Sequence, residues 1–132
     1  MDRLFLDANV LFSAAYRPSA GVARLWRLQG VSLVTSSFAV QEARRNLRDP
    51  EQEARLDGFL RGIEIGEALM LPPEHRGQIE LPEKDWPILG GAVASGATHL
   101  ITGDQRHFGQ YFGRRVLGVW ILRPADYIRE EP

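Results

Sequence analysis

Three apolar residues, Leu4-Phe5-Leu6, run into Asp7, and a second apolar run, Val10-Leu11-Phe12, begins three residues later. A short continuous apolar run closed by a polar residue reads as a buried strand. The spacing predicts a strand over 4–7 and a short helix over 9–15, stopped near Pro18. A second helix starts at Ser19-Ala20-Gly21, with Val22, Leu25 and Trp26 inward, and ends at Gly30, as helices commonly do at a glycine. Ser32 to Thr35 is a second strand. Ser36-Ser37 offers an N-cap for a third helix, with Phe38, Ala39, Ala43 and Leu47 on its apolar side and Arg44, Arg45 and Arg48 on its basic side. Pro50 opens a periodic helical stretch over 51–65. Ala68 to Leu71 reads as a third strand, and 74–82 as loop or weak helix. Asp85 precedes a helix starting at Trp86-Pro87, whose Gly90-Gly91 pair permits close packing. Thr98 to Ile101 is a fourth strand, followed by Thr102-Gly103-Asp104. Val116 to Leu122 is the last strand, with a short helix or tail from Pro124.

Strands alternating with helices predict a three-layer α/β/α sandwich around a largely parallel central sheet, formed as a single domain over 1–132. The chain's 132 residues suffice for one sizeable core, and its 44% apolar and 25% charged fractions are those of a globular protein. No apolar stretch approaches the ~20 residues of a membrane span, and the first apolar run is broken by Asp7, unlike a signal peptide; a cytoplasmic location is expected. The absence of cysteine removes disulfides and thiolate metal sites. The net charge of −1 gives no bulk attraction to nucleic acid, and the basic residues are nearly all arginine, with Lys84 the single lysine.

In parallel α/β sheets the functional crevice lies beyond the carboxyl ends of the strands. Asp7 ends the first strand, Asp104 follows the fourth, Asp85 starts the helix leading into the fourth, and Glu42 sits in the second turn of the helix after the second. Separately, Asp85 could be an N-cap, Asp104 a turn residue, and Glu42 a solvated helix residue paired with Arg45 or Asn46. Together, four converging carboxylates would repel and take up protons unless a cation joined them. Oxygen ligands suit Mg²⁺ or Mn²⁺, which can clamp a phosphodiester and activate water.

The segments Leu6-Asp7-Ala8-Asn9-Val10-Leu11, Val40-Gln41-Glu42-Ala43, Asp85 ahead of an alanine-containing helix, and His99-Leu100-Ile101-Thr102-Gly103-Asp104 resemble, in order and spacing, the PIN domain family, including the small single-domain VapC toxins of toxin–antitoxin pairs. The resemblance implies a Mg²⁺- or Mn²⁺-dependent endoribonuclease acting on single-stranded RNA, a homodimer, and an antitoxin partner. It implies Asp7, Glu42, Asp85 and Asp104 as catalytic, metal-binding acids, with Asn9, Ser36 and Thr102 as supporting polar residues. Many relatives carry another acid shortly after the last aspartate. Here that segment reads Gln105-Arg106-His107-Phe108, which favours one ion over two. His107 is then either a structural histidine or, with Arg44 and Arg45, an RNA contact. The alternative function is a catalytically weak module of this fold that binds RNA or an antitoxin. An aspartyl-phosphate phosphatase would want an aspartate where Asn9 stands, a receiver domain a late lysine, and a dinucleotide or nucleotide fold a glycine fingerprint that is absent.

Overall fold

The computed structural model describes residues 1–130; the last two residues of the expected 1–132 domain lie outside them. The sheet has six strands, in the order β3-β2-β1-β4-β6-β5. β1 (Asp2–Leu6) lies between β2 (Val31–Ser36) and β4 (His99–Ile101), parallel to both. β3 (Glu64–Gly66) extends the sheet beyond β2, and β6 (Val119–Leu122) extends it beyond β4, again in parallel. The edge strand β5 (Arg115–Val116) pairs antiparallel with β6. The expected fold class is the observed one.

Leu4, Phe5 and Leu6 are all fully buried. A strand covered on both faces needs no polar alternation, which is why β1 reads as a continuous apolar run. Six α-helices flank the strands among the described residues: α1 (Ala8–Tyr16), α2 (Ser37–Asn46), α3 (Pro50–Leu60), α4 (Trp86–Ala94), α5 (Gln105–Phe108) and α6 (Pro124–Glu130). α1 packs against α2 and α3, and α4 against β2 and β4. The glycine pair in α4 is needed in two directions. A Cβ on Gly91 would stand 3.0 Å from the Phe5 ring, and one on Gly90 only 1.8 Å from the Leu69 carbonyl oxygen. α4 is thus pressed between the sheet and the 67–72 segment that crosses it.

The structure corrects several expected boundaries. The third strand is Glu64–Gly66, not 68–71, because the edge of β2 is met by the end of the segment expected to be helical. Leu69 and Met70 are 42% and 48% exposed, so that apolar run forms no buried strand. Helix α3 stops at Leu60, and Gly62 beyond it takes a positive φ of 80°. The expected second helix is a 3-10 helix over Gly21–Arg27. The last strand is a hairpin turned at Leu117-Gly118, both in the left-handed region, as tight hairpin turns require.

The chain winds from β1 outward through β2 and β3, then returns to β1's other side with β4. The carboxyl ends of β1 and β4 therefore lie together at the point where the winding direction reverses, the usual location of a functional crevice.

Candidate metal centre

The register pairs Leu6 with Ile101, so the residues that follow, Asp7 and Thr102, meet at the crevice. Asp7 caps α1: its Oδ1 accepts from the Ala8 backbone N–H at 2.6 Å. Its Oδ2 accepts from the Thr102 hydroxyl at 2.8 Å and from Asn9 Nδ2 at 3.1 Å. Asn9 Oδ1 accepts from the Gly103 N–H at 2.7 Å, and Thr102 Oγ1 accepts from the Asp104 N–H at 3.1 Å. Asn9 and Thr102 thus lash the end of β1 to the loop after β4, fixing Asp7 and the start of the Asp104 turn together. Thr102 uses its one donor and both acceptor positions, because Asn9 Nδ2 also reaches its oxygen at 3.2 Å.

Asp104 caps the short α5, its Oδ1 accepting from the His107 N–H at 3.1 Å. The His107 ring reaches back over the same turn, placing Nδ1 2.9 Å from Asp104 Oδ2. The same nitrogen lies 2.9 Å from Asp85 Oδ2. One ring nitrogen carries at most one hydrogen, so it cannot serve both carboxylates. The contact that aligns as a hydrogen bond is the one to Asp104; Asp85 Oδ2 is a buried oxygen without a hydrogen-bond partner among the described residues. Asp85 is 8% exposed and makes no side-chain cap to α4. Its own backbone is helical, at φ −96° and ψ −11°, whereas a capping side chain needs an extended backbone to turn onto the first N–H groups. The N-cap reading of Asp85 is thereby removed.

The remaining predicted residues divide. Glu42 lines the same cleft of about 720 Å³ as Asp7, Asp85 and Asp104, but, like Asp7, it is outside the group of ligand atoms that lie within 4.8 Å of one another, and it accepts from Arg45 Nη1 at 2.8 Å. Arg45 and Arg48 line this cleft too, whereas Arg44 is turned to Asp57 of α3 at 2.5 Å. Ser36 is fully buried and caps α2, its Oγ accepting from the Ala39 N–H at 3.2 Å. Lys84 also lines the cleft and its charge acts on Asp85; its position one residue before Asp85 was the available signal.

Burial pushes the Asp7 carboxyl up to about 6 from 3.8, and the negative charges of Asp85 and Asp104 add to this, against hydrogen bonds from Thr102 and the Ala8 N–H. Asp85 is also raised, chiefly by burial, with Asp104 and Glu42 raising it further and His107 and Lys84 opposing. The acids are thus close enough to disfavour one another's ionisation. Asp85, Asp104 and His107 each offer one ligand atom, all within 4.8 Å of one another. Two carboxylates and an imidazole, one carboxylate oxygen buried and without a hydrogen-bond partner among the described residues, are a donor set that a divalent cation fits.

No protein-family model matches the chain, and no curated protein matches it. Among solved structures, the chain is similar to one in the crystal structure of VapBC2 from Rickettsia felis bound to a DNA fragment from their promoter. The TM-score is 0.63 at 16% identity, covering 92% of this chain and 98% of that one. At this identity the likeness is one of fold. Among the described residues no helix is long and apolar enough to cross a membrane.

Proposed function

We propose that the chain is a metal-dependent endoribonuclease that hydrolyses phosphodiester bonds in single-stranded RNA, with Asp7, Glu42, Asp85 and Asp104 holding Mg²⁺ or Mn²⁺. The observation that carries this reading is Asp85 Oδ2, buried and without a hydrogen-bond partner among the described residues, set 2.9 Å from His107 Nδ1 beside Asp104. Leaving such an oxygen without a donor is costly unless a ligand uses it. A divalent ion there would supply Lewis acidity toward a phosphate oxygen and a lowered pKa for water.

The chain's own residues supply the rest. Asp7 and Asp104 orient the attacking water, and Asn9 and Thr102 hold Asp7 in place. Arg45, Arg48 and Lys84 on the cleft wall meet the RNA backbone, giving affinity without sequence choice. The water oxygen bonds to phosphorus while the bond to the 3′ oxygen breaks in line. The water loses a proton to solvent and the departing oxygen gains one, leaving a 5′ phosphate and a 3′ hydroxyl.

In this reading the chain is a single domain over 1–132 that acts in the cytoplasm as a homodimer. It is the toxin of a toxin–antitoxin pair, silenced by an antitoxin protein. Support comes from the motif resemblance and from the fold shared with a chain of the VapBC2 complex. A second reading, an RNA- or antitoxin-binding module with little turnover, is favoured by the pairing of Glu42 with Arg45.

The test is incubation of purified protein with mixed-sequence single-stranded RNA and Mg²⁺ or Mn²⁺, with and without chelator, beside Asp7→Asn and Asp104→Asn. The expected result is chelator-sensitive cleavage to 5′-phosphate ends by the wild type alone. Equal cleavage by all three proteins would mean a contaminant and end the proposal; metal binding without cleavage of any RNA would favour the binding module.

A further inference from the structure

The geometry points to His107 as a nitrogen ligand of the cation, and therefore to a site that selects Mn²⁺ over Mg²⁺. This rests on the metal reading of the cleft and concerns which ion that cleft takes.

The His107 ring is not placed by chance packing. Its backbone N–H is held by Asp104 Oδ1, which sets the residue one turn after the cap and turns the side chain back toward the carboxylates. Nδ1 then stands 2.9 Å from Asp104 Oδ2 and 2.9 Å from Asp85 Oδ2. A single hydrogen on that nitrogen satisfies one oxygen and leaves the other buried and unpartnered. A cation satisfies all three atoms together. These ligand atoms all lie within 4.8 Å of one another, close enough to share one ion.

An imidazole in the set alters ion preference. Mg²⁺ favours oxygen ligands and gives up its waters reluctantly. First-row divalent ions accept imidazole readily, with Mn²⁺ the weakest binder of that series and still tolerant of carboxylates. An imidazole among the carboxylates thus discriminates against Mg²⁺ in a way that carboxylates alone do not. The His107 side chain is 20% exposed and borders a neighbouring cleft with Arg76 and Arg106, so replacing it opens no hole in the core.

The test is calorimetric titration of wild type, His107→Gln and Asp85→Asn with MnCl₂ and with MgCl₂. The expected result is Mn²⁺ binding to the wild type at least about tenfold tighter than Mg²⁺. In His107→Gln the Mn²⁺ affinity should fall about tenfold while that for Mg²⁺ stays within about twofold. Asp85→Asn should weaken both ions. A second measurement on the unaltered protein follows the ring protons of its three histidines by NMR under trace Mn²⁺. Those of His107 should broaden first. An unchanged Mn²⁺-to-Mg²⁺ ratio in His107→Gln, or Mn²⁺ broadening that spares His107, would overturn the inference. If the ratio shifts as expected but no RNA is cut, the ligand assignment stands and the ribonuclease reading falls. If RNA is cut and the ratio does not shift, the reverse holds. No binding of either ion to the wild type would overturn both.

Discussion

The two ends of the same parallel strands carry opposite chemistry. At the amino edge of the sheet, charges and polar groups meet complementary partners. Arg3 pairs with Glu64, its Nε donates to the Ser95 carbonyl at 2.7 Å, and the Tyr127 hydroxyl donates to Asp2 Oδ2 at 2.6 Å. At the carboxyl edge, the charges of Asp85 and Asp104 act against ionisation of Asp7, and Asp85 Oδ2 is buried without a hydrogen-bond partner among the described residues. Both edges are built on the same backbone, so the sheet does not force the imbalance. The carboxyl edge is therefore the one where a cation could find ligand atoms, those of Asp85, Asp104 and His107.

The largest way to break that contrast is to remove an open-edge acid. Asp85→Asn or Asp104→Asn should lower metal-dependent RNA cleavage on the order of 10³-fold, measured as initial rates on a fluorescent single-stranded RNA. Retention of wild-type rates would place the chemistry elsewhere. Next in size is the effect of the ion on stability. At a hundredfold excess over its dissociation constant, Mn²⁺ should add about 2.7 kcal/mol to the unfolding free energy, read from urea titrations, and chelator should remove it.

A smaller effect concerns Asp7 without metal. Its folded pKa of about 6 stands above the unfolded value of 3.8. Between those values the unfolded chain releases the proton while the folded one keeps it, so stability falls as pH rises through the window. The loss is complete above about pH 7 and amounts to about 3 kcal/mol. Asp7→Asn removes this cost but weakens hydrogen bonds that the carboxylate accepts. The metal-free variant should therefore be about 1–2 kcal/mol more stable than wild type at about pH 8, with no gain at about pH 4. Equal destabilisation at both pH values would give Asp7 a purely structural role. The smallest effect lies at the closed edge: Tyr127→Phe should cost about 0.5–1.5 kcal/mol and leave cleavage rates alone.

Much of the open edge can be read from the chain. A buried strand running into Asp7, and another running into Thr102-Gly103-Asp104, mark adjacent carboxyl ends because parallel strands with intervening helices place them there. The edge strand β3 escapes such reading. It has three residues, Glu64-Ile65-Gly66, none of them buried, so its place is set by backbone pairing with β2 and leaves no apolar signature. The run at 68–71 misleads for the converse reason: it crosses α4 through the backbone of Leu69 over Gly90, with Leu69 and Met70 left exposed. Asp85 looks like an N-cap because Pro87 follows it, and only its helical backbone shows that the side chain does not cap α4. His107 carried a usable signal, a side chain three residues after an aspartate cap, where it can reach back. Its nearness to Asp85 was not legible, since that contact depends on how α4 and α5 approach across the crevice.

On the proposed reading the carboxyl edge, and not acidity in general, holds a divalent ion. The direct measurement is the Mn²⁺-induced rise in melting temperature of wild type, Asp85→Asn and Asp2→Asn, compared at one metal concentration. Asp2→Asn should keep the wild-type rise and Asp85→Asn should lose it. An undiminished rise in Asp85→Asn, or none in the wild type, would contradict that reading.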